Sequence, residues 1–365
     1  MRIVFVYDAV YPYTKGGVEK RVYELSKELD SRGHEVHVFC LKFWEGGQVT
    51  EREGVYLHGI CDPAPLYTKE GRRSILGSIK FAVMLLPTLL KEKRFDVIDC
   101  QNFPYFPVLS CRFISAVKGS KLFITWHEFW GDYWHEYLGW PIGVFGKMVE
   151  RLALSLSPRI ISVSEFTKMK LKTNKRVYVI PNGLDYGSLE KAKPLKKRFD
   201  VIFVGRLIRE KNVDMLLRAI ALLKSRYPRI RCCIIGEGPE RQRIIELASS
   251  LGVERNVEFH KFLKTHEQVF SYLKSSQVLV LPSSREGFGM IVLEANACGV
   301  PVVTVEAEGN AAKEFVRDGV NGKVVPLSPE TLANGIEESF SMKVKPIKEY
   351  NWKNIAKKLG RVYNA

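Results

Sequence analysis

The chain has 365 residues, which is long for one hydrophobic core and predicts two domains. Its 46% hydrophobic and 26% charged residues are ordinary for a globular protein, and no apolar run reaches the roughly 18 residues of a transmembrane helix. A formal net charge of +16 favours an anionic ligand, with nucleic acid or anionic lipid as competing partners.

The first predicted elements are a strand and a helix. Ile3–Tyr7 is an apolar run typical of a buried strand, and Val18–Arg32 has the spacing of an amphipathic helix that ends before Gly33. Because the strand begins near residue 1, we expect no signal peptide and a cytoplasmic location. Seven cysteines without CxxC pairs or metal-ligand spacing agree with a reduced core.

A glycine turn, Lys15-Gly16-Gly17-Val18, joins this strand and helix. Glycines let a backbone approach phosphate closely, and a helix N-terminus adds partial positive charge. A tight turn without any ligand explains the pair equally well. The pattern is not GxGxxG, so a nicotinamide site is disfavoured.

Residues 72–94 predict an apolar helix with basic ends. One interpretation is a helix that covers a sheet. The other is an interfacial helix on an anionic membrane, since such helices combine an apolar face with Lys and Arg.

Later strands of the first half are predicted at Glu35–Cys40, Val97–Cys100, Lys121–Thr125, Ile160–Ser164 and Tyr178–Ile180. Strands that alternate with helices predict a parallel sheet covered on both faces. Ligands of such sheets bind at the carboxyl ends of the strands.

An aromatic segment with four tryptophans follows the strand Lys121–Thr125 and begins Trp126-His127-Glu128. Aromatic rings form platforms for sugars and favour membrane interfaces, whereas a buried cluster that bridges the domains is an equally good explanation. A metal site from His127 and His135 is disfavoured, because their spacing matches no helical ligand pair.

A second alternation follows Lys191–Arg198, a basic proline-containing segment that predicts a linker. Strands are predicted at Asp200–Gly205, Arg231–Gly236, Val257–His260, Val278–Pro282, Pro301–Val305 and Lys323–Pro326, and helices at Asn212–Arg226, Glu240–Leu251 and Met290–Cys298. We therefore predict two similar α/β domains that face each other across a cleft. Residues 191–365 carry +11 against +5 for residues 1–190, which favours an anionic ligand in the second domain.

Two loops of the second half begin where strands end. The first, Gly205 to Lys211, contains Arg206, and its cations suit a diphosphate because each charge-assisted hydrogen bond contributes about 1.5–3 kcal/mol. The alternative is a solvated basic loop. The second, from Gly236 to Gly238, suits a base or ribose, although turn chemistry alone also explains it.

Two carboxylates, Glu286 and Glu294, flank a glycine turn between the strand ending at Pro282 and the next helix. Backbone N–H groups and acidic side chains therefore meet at a strand end. Such a site suits a ligand with both phosphate and sugar hydroxyls.

Together these motifs resemble the retaining glycosyltransferases of family 4, whose GT-B fold has two Rossmann-like domains. The resemblance covers nearly the whole chain, and its most specific part is the Glu-x7-Glu motif with its glycines. It also includes Ser162-Val-Ser164, Pro181-Asn-Gly-Leu-Asp185, Asp318–Gly322 and a last helix at about Trp352–Tyr363. The implied domains are residues 1–190 with 350–365, because the last helix crosses back, and residues 196–345.

The resemblance implies a role for each matching residue. Glu286 and His127 contact the donor sugar, and Glu294 contacts the ribose. Arg206 and Lys211 stabilise the diphosphate leaving group. Backbone groups complete the nucleotide site at Gly16, Gly17, Gly205, Gly236, Gly238, Phe288, Gly289, Met290 and Ile291. The stretch 306–314 departs from the family pattern of a Gly-Gly pair and a proline, which leaves donor contacts at 306–310 open.

The activity implied by the resemblance is metal-independent, cofactor-free transfer of a hexose from a UDP- or GDP-sugar to an acceptor hydroxyl. The acceptor is expected to be a growing glycan or a lipid-linked molecule at the cytoplasmic face of a membrane. One alternative is a sugar-nucleotide epimerase of the same fold. Another is a basic protein that binds nucleic acid or anionic lipid without catalysis, although no nucleic-acid motif is present.

Overall fold

The computed structural model describes residues 1–14, 16–63, 65–66 and 73–365, so Lys15 of the glycine turn and Arg72 of the predicted helix lie outside the described residues. Contacts between residues divide the chain into two units, Met1–Gly183 with Trp352–Ala365 and Leu184–Asn351. Each unit contains a mainly parallel sheet connected by helices. The predicted α/β fold class is confirmed.

The described part of the first unit contains one large sheet. Its strands are β1 (Arg2–Val6), β2 (Glu35–Cys40), β3 (Val49–Arg52), β4 (Val55–Gly59), β5 (Val97–Gln101), β6 (Lys121–Trp126), β7 (Arg159–Ser162) and β8 (Val177–Val179). Their order is β3–β4–β2–β1–β5–β6–β7–β8, and only β3 and β4 pair antiparallel. The sequence patterns do not predict β3, because its polar residues lie at the exposed edge of the sheet.

The strand order of this sheet reverses between β1 and β5. The chain continues from β1 to β2 on one side and from β5 to β6 on the other. Loops at such a switch point leave a crevice at the carboxyl ends of the strands. The loops that follow β1, β5 and β6 therefore border one region of the first unit.

The helices that follow the strands of this sheet are α1 (Gly17–Asp30), α2 (Ile75–Lys91), α3 (Phe106–Lys118), α4 (Tyr133–Leu138), α5 (Ile142–Leu156) and α6 (Glu165–Leu171). The predicted apolar helix is α2, and it does cover the sheet, because Phe81, Leu85 and Leu89 are fully buried. Its other side is exposed, with Leu76 at 81%. No helix in the described parts of the chain is long and apolar enough to cross a membrane.

The second unit has its own sheet. Its elements are α7 (Tyr186–Lys191), β9 (Phe199–Val204), a 3-10 turn (Arg209–Lys211), α8 (Val213–Lys224), β10 (Cys232–Ile235), α9 (Arg241–Ser250), β11 (Val257–His260), α10 (His266–Leu273), β12 (Ser276–Leu281), β13 (Arg285–Glu286), α11 (Met290–Ala297), β14 (Val302–Val305), β15 (Gly309–Asn310), a second 3-10 turn (Ala311–Phe315), β16 (Gly322–Val325) and α12 (Pro329–Ser339). The main order is β11–β10–β9–β12–β14–β16, all parallel, and β13 pairs with β15 separately. The order reverses between β9 and β12, so the loops after these two strands lie at the switch point.

The last helix, α13 (Trp352–Asn364), belongs to the first unit and packs against α1. Its Tyr363 is fully buried and donates to Oδ2 of Asp99 on β5 at 2.5 Å. The predicted return of the last helix to the first domain is confirmed.

Candidate functional site

Two loops of the second unit touch where β9 and β10 end. The N–H of Leu207 donates to the carbonyl of Glu237 at 2.8 Å. A Cβ on Gly236 would lie 1.9 Å from the carbonyl oxygen of Gly205, and a Cβ on Gly238 would lie 2.2 Å from that of Leu207. Close packing between backbones therefore requires these glycines, and the same packing holds both loops at the edge of the sheet.

Lys211 and Glu286 form an ion pair between the loops that follow β9 and β12. Their side chains are only 15% and 12% exposed, so the pair is largely withdrawn from solvent. Asn212 ties the same loops together, since its side-chain amide donates to the carbonyl of Pro282 at 3.0 Å. The exposed Arg206 lies on the first of these loops. Lys211 and Glu286, predicted to contact different parts of a donor, thus contact each other.

The backbone of Glu286 is held by the segment that departs from the family pattern. In the β13–β15 pair, Glu286 lies opposite Asn310. The Asn310 amide donates to the carbonyl of Val305 at 2.8 Å, and its oxygen accepts from the N–H of Ala312 at 3.1 Å. The segment 306–314 therefore supports the turn that carries Glu286.

The N-terminus of α11 follows this turn. Gly289 has φ +86°, and a Cβ there would lie 2.4 Å from the Cβ of Ala312, so glycine is required. Phe288 is 5% exposed, and its ring packs 4.7 Å from that of Phe315. Met290 and Ile291 begin the helix, where N–H groups lack intrahelical partners and favour anions.

Glu294 lies on α11 and is 4% exposed. Its Oε1 accepts a hydrogen bond from Nε2 of His266, the first residue of α10, at 2.8 Å. The sequence patterns do not identify His266, because 28 residues separate the two and only the packing of α10 near α11 brings them together. The imidazole gives this buried carboxylate a hydrogen-bond donor and fixes its orientation.

At the carboxyl end of β1, Asp8, Glu19 and Arg73 form a buried charged cluster in the first unit. Arg73 is ion-paired with Asp8. Burial raises the pKa of both Asp8 and Glu19, and the charge of Arg73 opposes the shift. A Cβ on Gly16 would lie 2.4 Å from Glu19 Oε2, whereas one on Gly17 would meet open space. The glycine turn therefore borders this cluster, which the sequence patterns do not predict.

His127 follows β6, and its Nε2 lies 2.7 Å from Oε1 of Gln101. The amide nitrogen of Gln101 donates to Oδ1 of Asp99 at 3.0 Å, so its carbonyl faces the imidazole. This arrangement assigns the proton to Nε2 and leaves Nδ1 as an acceptor. Burial, together with a smaller effect of the charge of Arg21, lowers the pKa of His127 to about 3, so the ring is neutral near pH 7.

Asp99 organises this network from β5. It accepts from Gln101, from Oγ1 of Thr125 at 2.7 Å and from Tyr363. Burial raises the pKa of Asp99, and the hydrogen bonds from Thr125 and Tyr363 oppose the shift. Through Asp99 and Gln101, the last helix α13 is linked to His127.

The aromatic segment divides into buried and exposed parts. Trp126 and Trp134 are 0% and 6% exposed and belong to the core of the first unit, whereas Trp140 is 78% exposed. Burial is therefore confirmed for Trp126 and Trp134 within the first unit, and the bridging of the two domains stays a prediction. Among the residues that the structure describes, no group of three or more His, Cys, Asp or Glu side chains is placed to hold a metal ion.

Comparison with known proteins supplies independent information. The model for Glycosyltransferase Family 4 matches residues 15–187, and the model for Glycosyl transferases group 1 matches residues 188–359. The chain is 31% identical over 319 residues to an uncharacterized glycosyltransferase of Haemophilus influenzae, covering 84% of this chain and 81% of that protein. It is 24% identical over 370 residues to the phosphatidylinositol N-acetylglucosaminyltransferase gpi3 subunit of Schizosaccharomyces pombe, covering 96% of this chain and 78% of that protein.

A solved structure gives the same fold. HepE of Anabaena in complex with UDP-glucose matches with a TM-score of 0.74 and 19% identity, over 100% of this chain and 99% of that one. At this identity the likeness concerns the fold, and it confirms the predicted GT-B type.

Proposed function

The chain is a glycosyltransferase that belongs to family 4, and on this premise we propose that it transfers a hexose from a nucleotide-diphosphate sugar to an acceptor hydroxyl, with retention. The observation that carries the proposal is the Lys211–Glu286 pair beside the N-terminus of α11, with Glu294 buried on the same helix. These groups combine cations, N–H donors and carboxylates, which is the chemistry that a sugar nucleotide requires.

The donor is proposed to bind with its diphosphate at Arg206, Lys211 and the first N–H groups of α11. Glu294, oriented by His266, accepts hydrogen bonds from the ribose hydroxyls. Glu286 accepts hydrogen bonds from the sugar hydroxyls. UDP-sugars and GDP-sugars are the candidate donors, and the UDP-glucose bound to HepE supports the first.

The reaction is proposed to need neither a nucleophilic residue nor a metal. Leaving-group charge develops on the diphosphate, where two fixed cations stabilise it more in the transition state than in the ground state. The leaving phosphate oxygen accepts the acceptor's proton as the new bond forms on the same face of the sugar. The ion pair with Lys211 supports a positioning role for Glu286, rather than a role as nucleophile.

His127 is proposed to contact the donor sugar as a neutral group. Because its pKa is lowered to about 3, Nδ1 can accept a hydrogen bond from a hydroxyl over the whole neutral range. The Gln101–Asp99 network keeps that tautomer in place.

The acceptor is proposed to be lipid-linked and reached from the cytoplasmic face of a membrane. The name of the Schizosaccharomyces pombe relative, which includes phosphatidylinositol, supports a lipid acceptor. A growing glycan without a lipid is the second candidate.

A thermal-shift panel of UDP, GDP, ADP and their hexose conjugates tests the donor, because a ligand that binds only the folded state raises Tm. We expect one nucleotide and its sugar to raise Tm, and slow release of hexose when no acceptor is present. Proton NMR of the released or transferred sugar should show the donor's anomeric configuration, and EDTA should leave the rate unchanged. An inverted product, an epimerised sugar nucleotide, or a loss in EDTA that Mg²⁺ or Mn²⁺ restores would each overturn the corresponding part of the proposal.

A further inference from the structure

An exposed apolar surface covers three helices of the first unit. We define the apolar face by Leu76 and Val83 on α2, Phe113 and Val117 on α3, and Phe145 and Met148 on α5. Each of these side chains is more than half exposed, from 53% for Phe113 to 81% for Leu76. Apolar side chains scattered singly over a surface are ordinary, whereas a surface spanning three helices indicates an interaction site.

The helices of the apolar face pack side by side. Ser110 on α3 donates to the carbonyl of Ala82 on α2 at 2.7 Å, and α3 also packs against α5. The inner sides of these helices pack in the core of the first unit, where Phe81, Ile114 and Ala153 are buried. The outer residues recur at intervals of three, four and seven, so they form stripes on one side of each helix. Packing in the core of the first unit therefore does not explain why the outer residues of these helices are apolar.

The exposed charges carried by the three helices of the apolar face are basic. Helices α2 and α3 contain no Asp or Glu, and the single acidic residue of α5 is Glu150. Glu150 is fully buried and accepts hydrogen bonds from Tyr105 at 2.7 Å and from two backbone N–H groups. Exposed cations on the same helices include Lys80, Lys91, Arg112 and Arg151. Near α5 the exposed Asp132 is ion-paired with Lys147 of that helix. An apolar face on helices whose own exposed charges are basic matches an anionic bilayer, since basic residues gain from its negative surface potential.

A slot opens from the apolar face into the first unit. We define the slot by Ile75, Tyr105, Trp134, Ile142, Phe145 and Arg73, and its lining is almost entirely apolar. Phe145, Ile142 and Ile75 are also 60%, 56% and 49% exposed, so the slot and the face are continuous. Arg73 connects the slot to the buried cluster with Asp8 and Glu19 beside the glycine turn.

We propose that the apolar face docks on an anionic lipid bilayer and that the slot takes one hydrocarbon chain of a lipid acceptor. The hydroxyl-bearing end of that lipid then lies toward Asp8 and the Gly16–Gly17 turn, where carboxylates can accept its hydrogen bonds. This inference rests on the proposed function and specifies its acceptor as an amphiphile with at least one long acyl or prenyl chain.

Vesicle flotation tests the docking surface. We expect the full chain to float with vesicles of phosphatidylcholine and 30% phosphatidylglycerol, and to float weakly with phosphatidylcholine alone. Leu76→Glu with Val83→Glu should reduce the bound fraction at least tenfold. The control Leu222→Glu with Val320→Glu places the same two charges at apolar positions of the second unit that are 42% and 63% exposed, and it should bind as the wild type does. Equal flotation of the two variants, or none of the wild type, would refute the docking.

Fluorescence quenching by lipids brominated along the acyl chain tests the slot. Trp140 is exposed, whereas Trp134 lines the slot and is 6% exposed. We expect the Trp140→Phe variant to retain part of the wild-type quenching. The double variant, Trp134→Phe with Trp140→Phe, should lose this remaining quenching. If Trp140→Phe alone removes all quenching, the chain does not enter the slot. Unchanged Tm in each variant controls for folding.

Two further measurements separate this inference from the proposed function. A nucleotide-induced rise in Tm that persists in Leu76→Glu with Val83→Glu shows that the donor site is independent of lipid. Nucleotide binding without vesicle binding overturns only the lipid inference, whereas vesicle binding without any nucleotide effect overturns the proposed function. A stable dimer in sedimentation that buries the apolar face would identify a second copy of the chain as the occupant and overturn the bilayer.

Discussion

Replacing Glu286 by glutamine separates the two functions that meet in the Lys211–Glu286 pair. Glutamine keeps the size of the side chain but removes its charge. In the wild type, Glu286 engages the ammonium group that would otherwise attract a phosphate. In Glu286→Gln that ammonium becomes available to an anion, while the strongest acceptor for sugar hydroxyls is lost.

The magnitude follows from the partial burial of the pair. Two unit charges about 4 Å apart interact with roughly 4 kcal/mol at an effective dielectric constant of 20. Residual exposures of 15% and 12% reduce this to about 1.5–3 kcal/mol, the range of a charge-assisted hydrogen bond. At 1.4 kcal/mol per tenfold change, Glu286→Gln should slow transfer by roughly 10- to 150-fold. The affinity for the nucleoside diphosphate should be unchanged or up to roughly tenfold tighter, because part of the released attraction is available to it.

Lys211→Met is the matched variant. Its effect on nucleotide affinity should be opposite to that of Glu286→Gln. It removes a cation from the diphosphate site, so nucleotide affinity should fall by roughly 10- to 150-fold together with transfer. Glu337→Gln serves as a control. It removes the ion pair between Glu337 on α12 and Arg226, whose side chains are 30% and 49% exposed. Calorimetric titration with the nucleotide from the thermal-shift panel gives the affinity, and initial transfer rates give the activity. Near-wild-type turnover of Glu286→Gln, or equal loss of nucleotide affinity in both variants, would refute the reasoning.

Three further predictions concern the supporting structure. Gly236→Ala should destabilise the second unit by about 1–3 kcal/mol and weaken nucleotide binding, because the new Cβ would lie 1.9 Å from a carbonyl oxygen. Urea titration measures the loss of stability. The control is Gly187→Ala, whose Cβ would lie 3.5 Å from the nearest atom. Gln101→Leu should lower kcat more than it changes the nucleotide affinity, and ¹⁵N NMR of histidine should show that His127 loses its Nε2–H tautomer; a retained tautomer would contradict the positioning role. The pKa of His127 is 6.5 in the unfolded chain and about 3 in the folded protein. As the pH falls below about 6.5, the unfolded state binds a proton that the folded state does not. The contribution of His127 to stability is therefore complete above about pH 6.5 and is lost as the pH decreases toward 3. His127→Gln should therefore reduce the acid-induced loss of stability by up to about 1.36 kcal/mol per pH unit in that window. An equally large fall of the urea midpoint from neutral pH to acid pH in the wild type and in His127→Gln would contradict the lowered pKa.

The sequence predicts elements best where a strand is buried on both faces. Strands β1 and β12 contain uninterrupted apolar runs, and the structure places them in the interior of their sheets. Prediction fails at the edge, where β3 contains the exposed residues Glu51 and Arg52 and shows no period. The helix at 72–94 shows a different limit. Some of its apolar residues pack against the sheet and others are exposed, and hydrophobicity alone does not show which residues belong to which side.

The candidate site was likewise predicted only in part from the sequence. Lys211 and Glu286 are predictable from their loops, because glycines and charged residues follow apolar strands. Their direct contact depends on the order of β9 and β12 in the sheet, which no local pattern contains. His266 and Gln101 are missed, because each acts through a partner more than 20 residues away in the chain.

By itself, the sequence determined the two α/β domains, the family and the residues suited to a sugar nucleotide, since these depend on local periodicity and on short motifs at strand ends. The tertiary structure decided which of these residues neutralise or orient one another: Lys211 with Glu286, Glu294 with His266, and His127 with Asp99 through Gln101. It also decided that apolar residues of α2, α3 and α5 form one exposed face. The physical reason is that charge pairing and exposure depend on distances between segments remote in sequence, which only the packing of the sheets and helices sets.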